Sequence, residues 1–197
     1  MKSKPTSSRL KKIQAVAKAR QNGIIVLEDI HDPHNAAAVL RTADAFGIQK
    51  VYFIFDKGEK FNPRKIGKAT SSSANKWLDF EIFSSAKECY KKLKRQGYTI
   101  LATVLDEKAE SIFKTNLKRP KIALCFGNEH SGLSQEAIEL SDAHIYIPMQ
   151  GFVQSLNLSV TAAICMYELF RQRQTSPGKF SLSKREANNL VKNWKGK

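Results

Sequence analysis

Three short stretches of this 197-residue chain hold most of the side chains that could act on a substrate. The first is Glu28-Asp29-Ile30-His31-Asp32-Pro33-His34-Asn35, which leads into an alanine-rich segment ending before Gly47. Asn35 suits a helix N-cap. His31 and His34 lack further ligands, so no metal is expected. Arg41 stands among small apolar residues, and its guanidinium needs an anion or a carbonyl there. Asp44, three residues on, offers an internal ion pair as the alternative. The second stretch is Gly127-Asn128-Glu129-His130-Ser131-Gly132-Leu133-Ser134. Its glycines are spaced as in a P-loop, but Leu133-Ser134 stands where the phosphate-binding lysine belongs, so triphosphate hydrolysis is not expected. A glutamate between the glycines suits a cationic or hydrogen-bond-donating ligand better. The third stretch runs from Ile147-Pro148 to Leu158-Ser159. Ser155 could cap the helix that follows, and its uncharged amides and serines look like a neutral pocket wall.

The elements that would position these stretches alternate between strand and helix. Apolar runs at 24–27, 51–55, 99–105, 121–126 and 143–147 read as strands. Helices are expected over 7–20 (capped by Ser7 or Ser8), 35–46, 84–96, 134–140, 155–174 and 183–194, with a short one near 62–69. Short apolar strands without in/out alternation argue for an α/β fold, a parallel sheet with helices on both faces. Ligands on such sheets sit beyond the carboxyl ends of strands, where all three stretches fall.

Charge adds a second kind of information. Residues 1–20 hold seven Lys/Arg and no acid, and residues 171–197 hold eight against Glu186 alone. Together they carry +14 of the formal +15. A near-neutral body with basic ends points to a polyanion gripped by the ends. The division is a basic N-terminal helical extension over 1–20, a single domain over 21–174 and a basic C-terminal extension over 175–197. Arg9, Lys11, Lys12, Arg20, Arg171 and Arg173 are the cations expected to grip that polyanion. Three scattered cysteines and no C-x-x-C fit a reducing, cytoplasmic setting. The uncharged run 143–167 is too polar to span a bilayer, so no membrane partner is expected.

Together the three stretches resemble the three motifs of the SpoU branch of the SPOUT RNA methyltransferases, over roughly residues 20–174. The residues that carry the likeness are Asn35 with Arg41, the run Phe126-Gly127-Asn128-Glu129-His130-Ser131-Gly132-Leu133, and Ile147-Pro148-Met149 with Ser155-Leu156-Asn157-Leu158-Ser159. Residues 26–35, Lys76-Trp77 and Arg171-Gln172-Arg173-Gln174 look most like the TrmH group, which methylates the ribose 2′-hydroxyl of the D-loop guanosine in tRNA. The resemblance implies a C-terminal deep trefoil knot, against the general rule on topology. It also implies S-adenosylmethionine as cofactor, and a homodimer whose site is completed across the interface. It assigns Thr103, Gly127, Ile147 and Leu156 to the cofactor, Arg41 to activation of the 2′-hydroxyl, and Asn35 to fixing it or the neighbouring phosphate. Glu129, Ser155 and Asn157 would hold the loops, the substrate or Arg41. Methylation of ribosomal RNA, and RNA binding without catalysis on the same scaffold, are the alternatives.

Overall fold

Residues 24–27 are apolar at every position and therefore need cover on both faces. The computed structural model, which describes residues 6–66 and 74–197, supplies it. Seven strands form one sheet: β1 (Gln21–Glu28), β2 (Ile48–Ile54), β3 (Asp79–Phe83), β4 (Thr99–Thr103), β5 (Glu110–Ser111), β6 (Ile122–Phe126) and β7 (Ala143–Tyr146). Their order is β3-β2-β1-β6-β4-β7-β5, and every pairing is parallel. The helices are α1 (Ser7–Ala19), α2 (Pro33–Ala45), α3 (Ala86–Arg95), α4 (Gln135–Leu140), α5 (Leu158–Arg173) and α6 (Lys184–Trp194). Alternate strand residues divide the core. Ile25, Leu27, Phe53, Leu124 and Phe126 pack with α2 and α5, whereas Ile24, Val26, Ile54, Ala123 and Cys125 pack with α3 and α4. The parallel sheet with helices on both faces is thus as expected.

Local departures have local causes. β3 was not expected, because Asp79 and Glu81 interrupt its apolar pattern at the edge of the sheet. The two-residue β5 is too short to read. Helix caps sit away from the expected residues: Thr6 rather than Ser7 or Ser8, Asp32 rather than Asn35, and Asn157 rather than Ser155. Pro33 occupies the first turn of α2 and lacks an N–H, so the cap must precede it. Near 62–69, residues 63–66 form a turn and the remainder lies outside the described residues.

The two basic ends meet. α1 and α6 pack around Ile13, Ala17, Leu190 and Trp194, with Trp77 against them. This corrects the assignment of Arg20 and Arg173 to the cations that grip a polyanion such as RNA. Arg20 is buried, paired with Asp44 and seated 5.3 Å from the Trp194 ring centroid. Arg173, also buried, donates to the carbonyls of Leu117, Asn22 and Arg119 and to Gln21, under the ring of Phe180. Burial pushes its pKa down to about 10, which leaves it charged at neutral pH. These guanidinium groups staple the ends to the sheet and have no face left for a phosphate. Arg9, Lys11 and Lys12 remain exposed.

Candidate functional site

β4, β6 and β7 end at a cleft of about 630 Å³. The loops after β6 and β7 meet over it although β4 lies between those strands. Thr103, Gly127, Ile147 and Leu156 all line this cleft, as do Glu129, Ser155 and Asn157. Among the described residues no lysine or arginine lines it, and Glu129 is its only carboxylate. A phosphorylated ligand would find little there, whereas a cation among backbone groups fits. Thr103 donates its hydroxyl to the Cys125 carbonyl at 2.8 Å, tying β4 to β6 at the cleft floor. Cys165 lines the cleft, but burial pushes its thiol up to about 12, so it is no nucleophile.

Gly127 is required by space. A Cβ there would lie 2.1 Å from the Gly132 carbonyl carbon and the Leu133 nitrogen. The loop then closes on itself, Asn128 and Gly132 exchanging two backbone hydrogen bonds of 2.9 Å, with Gly132 at φ +71°. Asn128 Oδ1 accepts from the His130 and Ser131 amides, which aims Glu129 out of the turn.

Glu129 reaches back to the first loop. Its carboxylate accepts from the His31 amide at 2.8 Å, the Asp32 amide at 3.2 Å and Asn35 Nδ2 at 2.8 Å. Partial burial pushes its pKa up, but the bonds from Asn35 and the amides outweigh this and hold it below the usual carboxylate value. Asn35 Oδ1 in turn accepts from Asn157 Nδ2 at 3.1 Å. Asn157 also caps α5, its Oδ1 accepting from the Ser159 amide and hydroxyl. One residue from each of the three stretches is therefore joined in a chain, Glu129–Asn35–Asn157.

Arg41 and Ser155 are not part of that chain. Ser155 lies on the exposed loop before α5 and makes no hydrogen bond among the described residues. Arg41 lies on α2 outside the cleft lining, exposed and without a partner among the described residues. The expected alternative, a pair with Asp44, does not form, because Arg20 takes Asp44.

Two acidic residues of the first stretch, Glu28 and Asp29, to which the sequence assigned no role, support the site. Asp29, at φ +48°, has the left-handed backbone that non-glycine residues rarely adopt. Its carboxylate gathers the amides of Asp56, Lys57 and Gly58, and its carbonyl accepts from Asn128 Nδ2 at 2.7 Å. Glu28 is buried, and its pKa is raised by burial against the opposing bonds from the Ser134 hydroxyl and amide. It fixes the start of α4 to the end of β1. An acid directly after a strand was the only signal for either.

The sequence and the fold have counterparts among known proteins. The SpoU rRNA Methylase family matches residues 22–167. The tRNA (guanosine(18)-2'-O)-methyltransferase of Thermus thermophilus is 38% identical over 171 residues, spanning 85% of this chain and 84% of that protein. Among solved structures, the A. aeolicus TrmH/SpoU tRNA modifying enzyme superposes with a TM-score of 0.86 at 32% identity, covering 95% of both chains. AviRb from Streptomyces viridochromogenes, solved in complex with the cofactor AdoMet, shares the fold at a TM-score of 0.67 and 23% identity, over 79% of this chain and 60% of that one. On its sequence and its fold, the chain belongs to the SpoU methylase family.

Proposed function

We propose that this protein transfers a methyl group from S-adenosylmethionine to a ribose 2′-hydroxyl of tRNA in the cytoplasm, at the guanosine of the D-loop. The observation that carries the reading is the Glu129–Asn35–Asn157 chain at the rim of a cleft whose lining, Glu129 apart, is free of carboxylates, lysine and arginine among the described residues. The relatives named as guanosine-18 enzymes support the choice of RNA and nucleotide. The donor set fits the cofactor: Thr103, Gly127, Ile147 and Leu156 present backbone and apolar surface, and Glu129 supplies negative charge. When bound, S-adenosylmethionine supplies an electrophilic methyl group on a cationic sulfur.

The chain's own residues must place the 2′-oxygen and stabilise the charge it develops. Asn35, held between Glu129 and Asn157, fixes the ribose or its phosphate. Arg41 donates hydrogen bonds to the developing alkoxide. A guanidinium offers donors and no acceptor, so a substrate phosphate receives the hydroxyl proton. Arg41 is not among the residues that line the cleft of its own chain, and this reading therefore includes a homodimer in which a second copy supplies Arg41. Exposed Phe152, Val153, Val160 and Tyr167, on and before α5, support that assembly. The deep trefoil knot belongs to the same reading, supported by the two loops that close over the end of β4. Labelled S-adenosylmethionine incubated with an unmodified tRNA transcript and, separately, with ribosomal RNA tests the proposal. Label in the tRNA alone is expected. Label in ribosomal RNA alone, or in neither, overturns it.

A further inference from the structure

A second groove, of about 480 Å³, lies between the last turn of α5 and the loop after β5. Phe113, Lys114, Lys118 and Arg171 line it, and among the described residues no carboxylate does. The loop is fixed from beneath. Ile112 and Leu117 are buried, while Gln172 donates to the Thr115 carbonyl at 3.0 Å and accepts from the Leu117 amide at 2.9 Å. Anchored at both sides, the loop leaves the ring of Phe113 60% exposed. Arg171 is also preset. Its Nε and Nη2 donate to the buried Glu168 carboxylate at 2.7 and 2.8 Å, which fixes the guanidinium plane and leaves Nη1 free. The ammonium groups of Lys114 and Lys118 have no partner among the described residues.

A single exposed ring among three cations is poor surface for an apolar protein partner, which needs a contiguous patch. It is suited to an unpaired nucleotide, whose base stacks on an aromatic ring while its phosphates meet cations. We propose that this groove holds an unpaired nucleotide of the RNA substrate, the base on Phe113 and the flanking phosphates at Lys114, Lys118 and Arg171. The proposal rests on the tRNA reading above and gives it a second, remote contact. α5 spans the interval: Asn157 caps its start at the site and Arg171 lies about 20 Å along it.

Binding of an unmodified tRNA transcript, followed by fluorescence anisotropy between about 50 and 200 mM salt, tests this. Phe113→Ala is expected to weaken affinity roughly five- to 150-fold with an unchanged salt slope, since stacking releases no counterions. Phe113→Trp should retain wild-type affinity. Lys114→Ala combined with Lys118→Ala should flatten the slope of log K against log salt by roughly 1.4 to 1.8. S-adenosylmethionine affinity should be unchanged in all three. Wild-type affinity in Phe113→Ala overturns the proposal, as does a changed sedimentation coefficient with unaltered RNA binding, which assigns the ring to a protein interface. Failure of the wild-type protein to bind tRNA overturns the parent reading, and this one with it.

Discussion

Gly127→Ala tests how tightly the cleft is built. The new methyl group would lie 2.1 Å from backbone atoms of Gly132 and Leu133, and 2.3 Å from the Gly132 oxygen. No side chain can rotate away to relieve this, so the two backbone segments must separate by about 1 Å or more. The paired hydrogen bonds between Asn128 and Gly132 break first. At about 1 kcal/mol each, with about 1–3 kcal/mol of overpacking strain, the cost is about 3–5 kcal/mol. Set against a typical stability of about 5–15 kcal/mol, this is a third or more of a mid-range value, and Tm falls by about 6–20 °C. Both displaced segments line the cleft, so S-adenosylmethionine affinity should fall by about tenfold or more. Gly151→Ala is the control, because a Cβ there meets nothing within 4 Å. Thermal unfolding and isothermal titration of the two variants are the assays. A Gly127→Ala protein with wild-type Tm and cofactor affinity would show that the loop is not closely packed at Gly127.

Glu129→Gln should lower methyl transfer roughly ten- to 100-fold by loosening Asn35, with cofactor affinity within a few-fold, as read from kcat and titration. Because the Glu129 carboxyl is held below its ordinary pKa, its stabilising effect is complete at neutral pH and is lost as pH falls through that lowered value. The glutamine variant should lack this part of the acid dependence in unfolding curves. Arg41→Lys should nearly abolish transfer, because a point charge cannot copy the planar fork. Co-expression of Arg41→Ala with Asn35→Ala chains should restore about a quarter of wild-type activity, half of the dimers being mixed and each holding one complete site. Arg173→Met should destabilise by about 2–4 kcal/mol without altering the salt slope of tRNA binding, whereas Lys11→Ala with Lys12→Ala should flatten that slope without changing Tm.

What the sequence revealed depended on how local the signal was. β1 and β6 were legible because every position of their centres is apolar, as a doubly covered strand requires. β3 was not, because an edge strand carries polar residues on its open side. The three chemistry-bearing stretches were found by residue type and by their places after strands, and the Glu129–Asn35–Asn157 chain joins one member of each. Charge counting failed for Arg20 and Arg173, since a count cannot tell a solvated cation from one folded under Trp194 or Phe180. Their hydrogen-bond partners lie 24 to 152 residues away in sequence. The support from Asp29 was invisible for the same reason: its amide partners are 27 to 29 residues on, and its backbone strain has no sequence mark.

The location of the transferred methyl group bears most directly on the account. Unmodified tRNA transcript treated with the protein and S-adenosylmethionine can be digested to nucleosides and to oligonucleotides, and both analysed by mass spectrometry. One 2′-O-methylguanosine per tRNA is expected, carried by the D-loop fragment, and none when that guanosine is replaced by its 2′-deoxy form. A methyl group on a base, or on a ribose outside the D-loop, would contradict it.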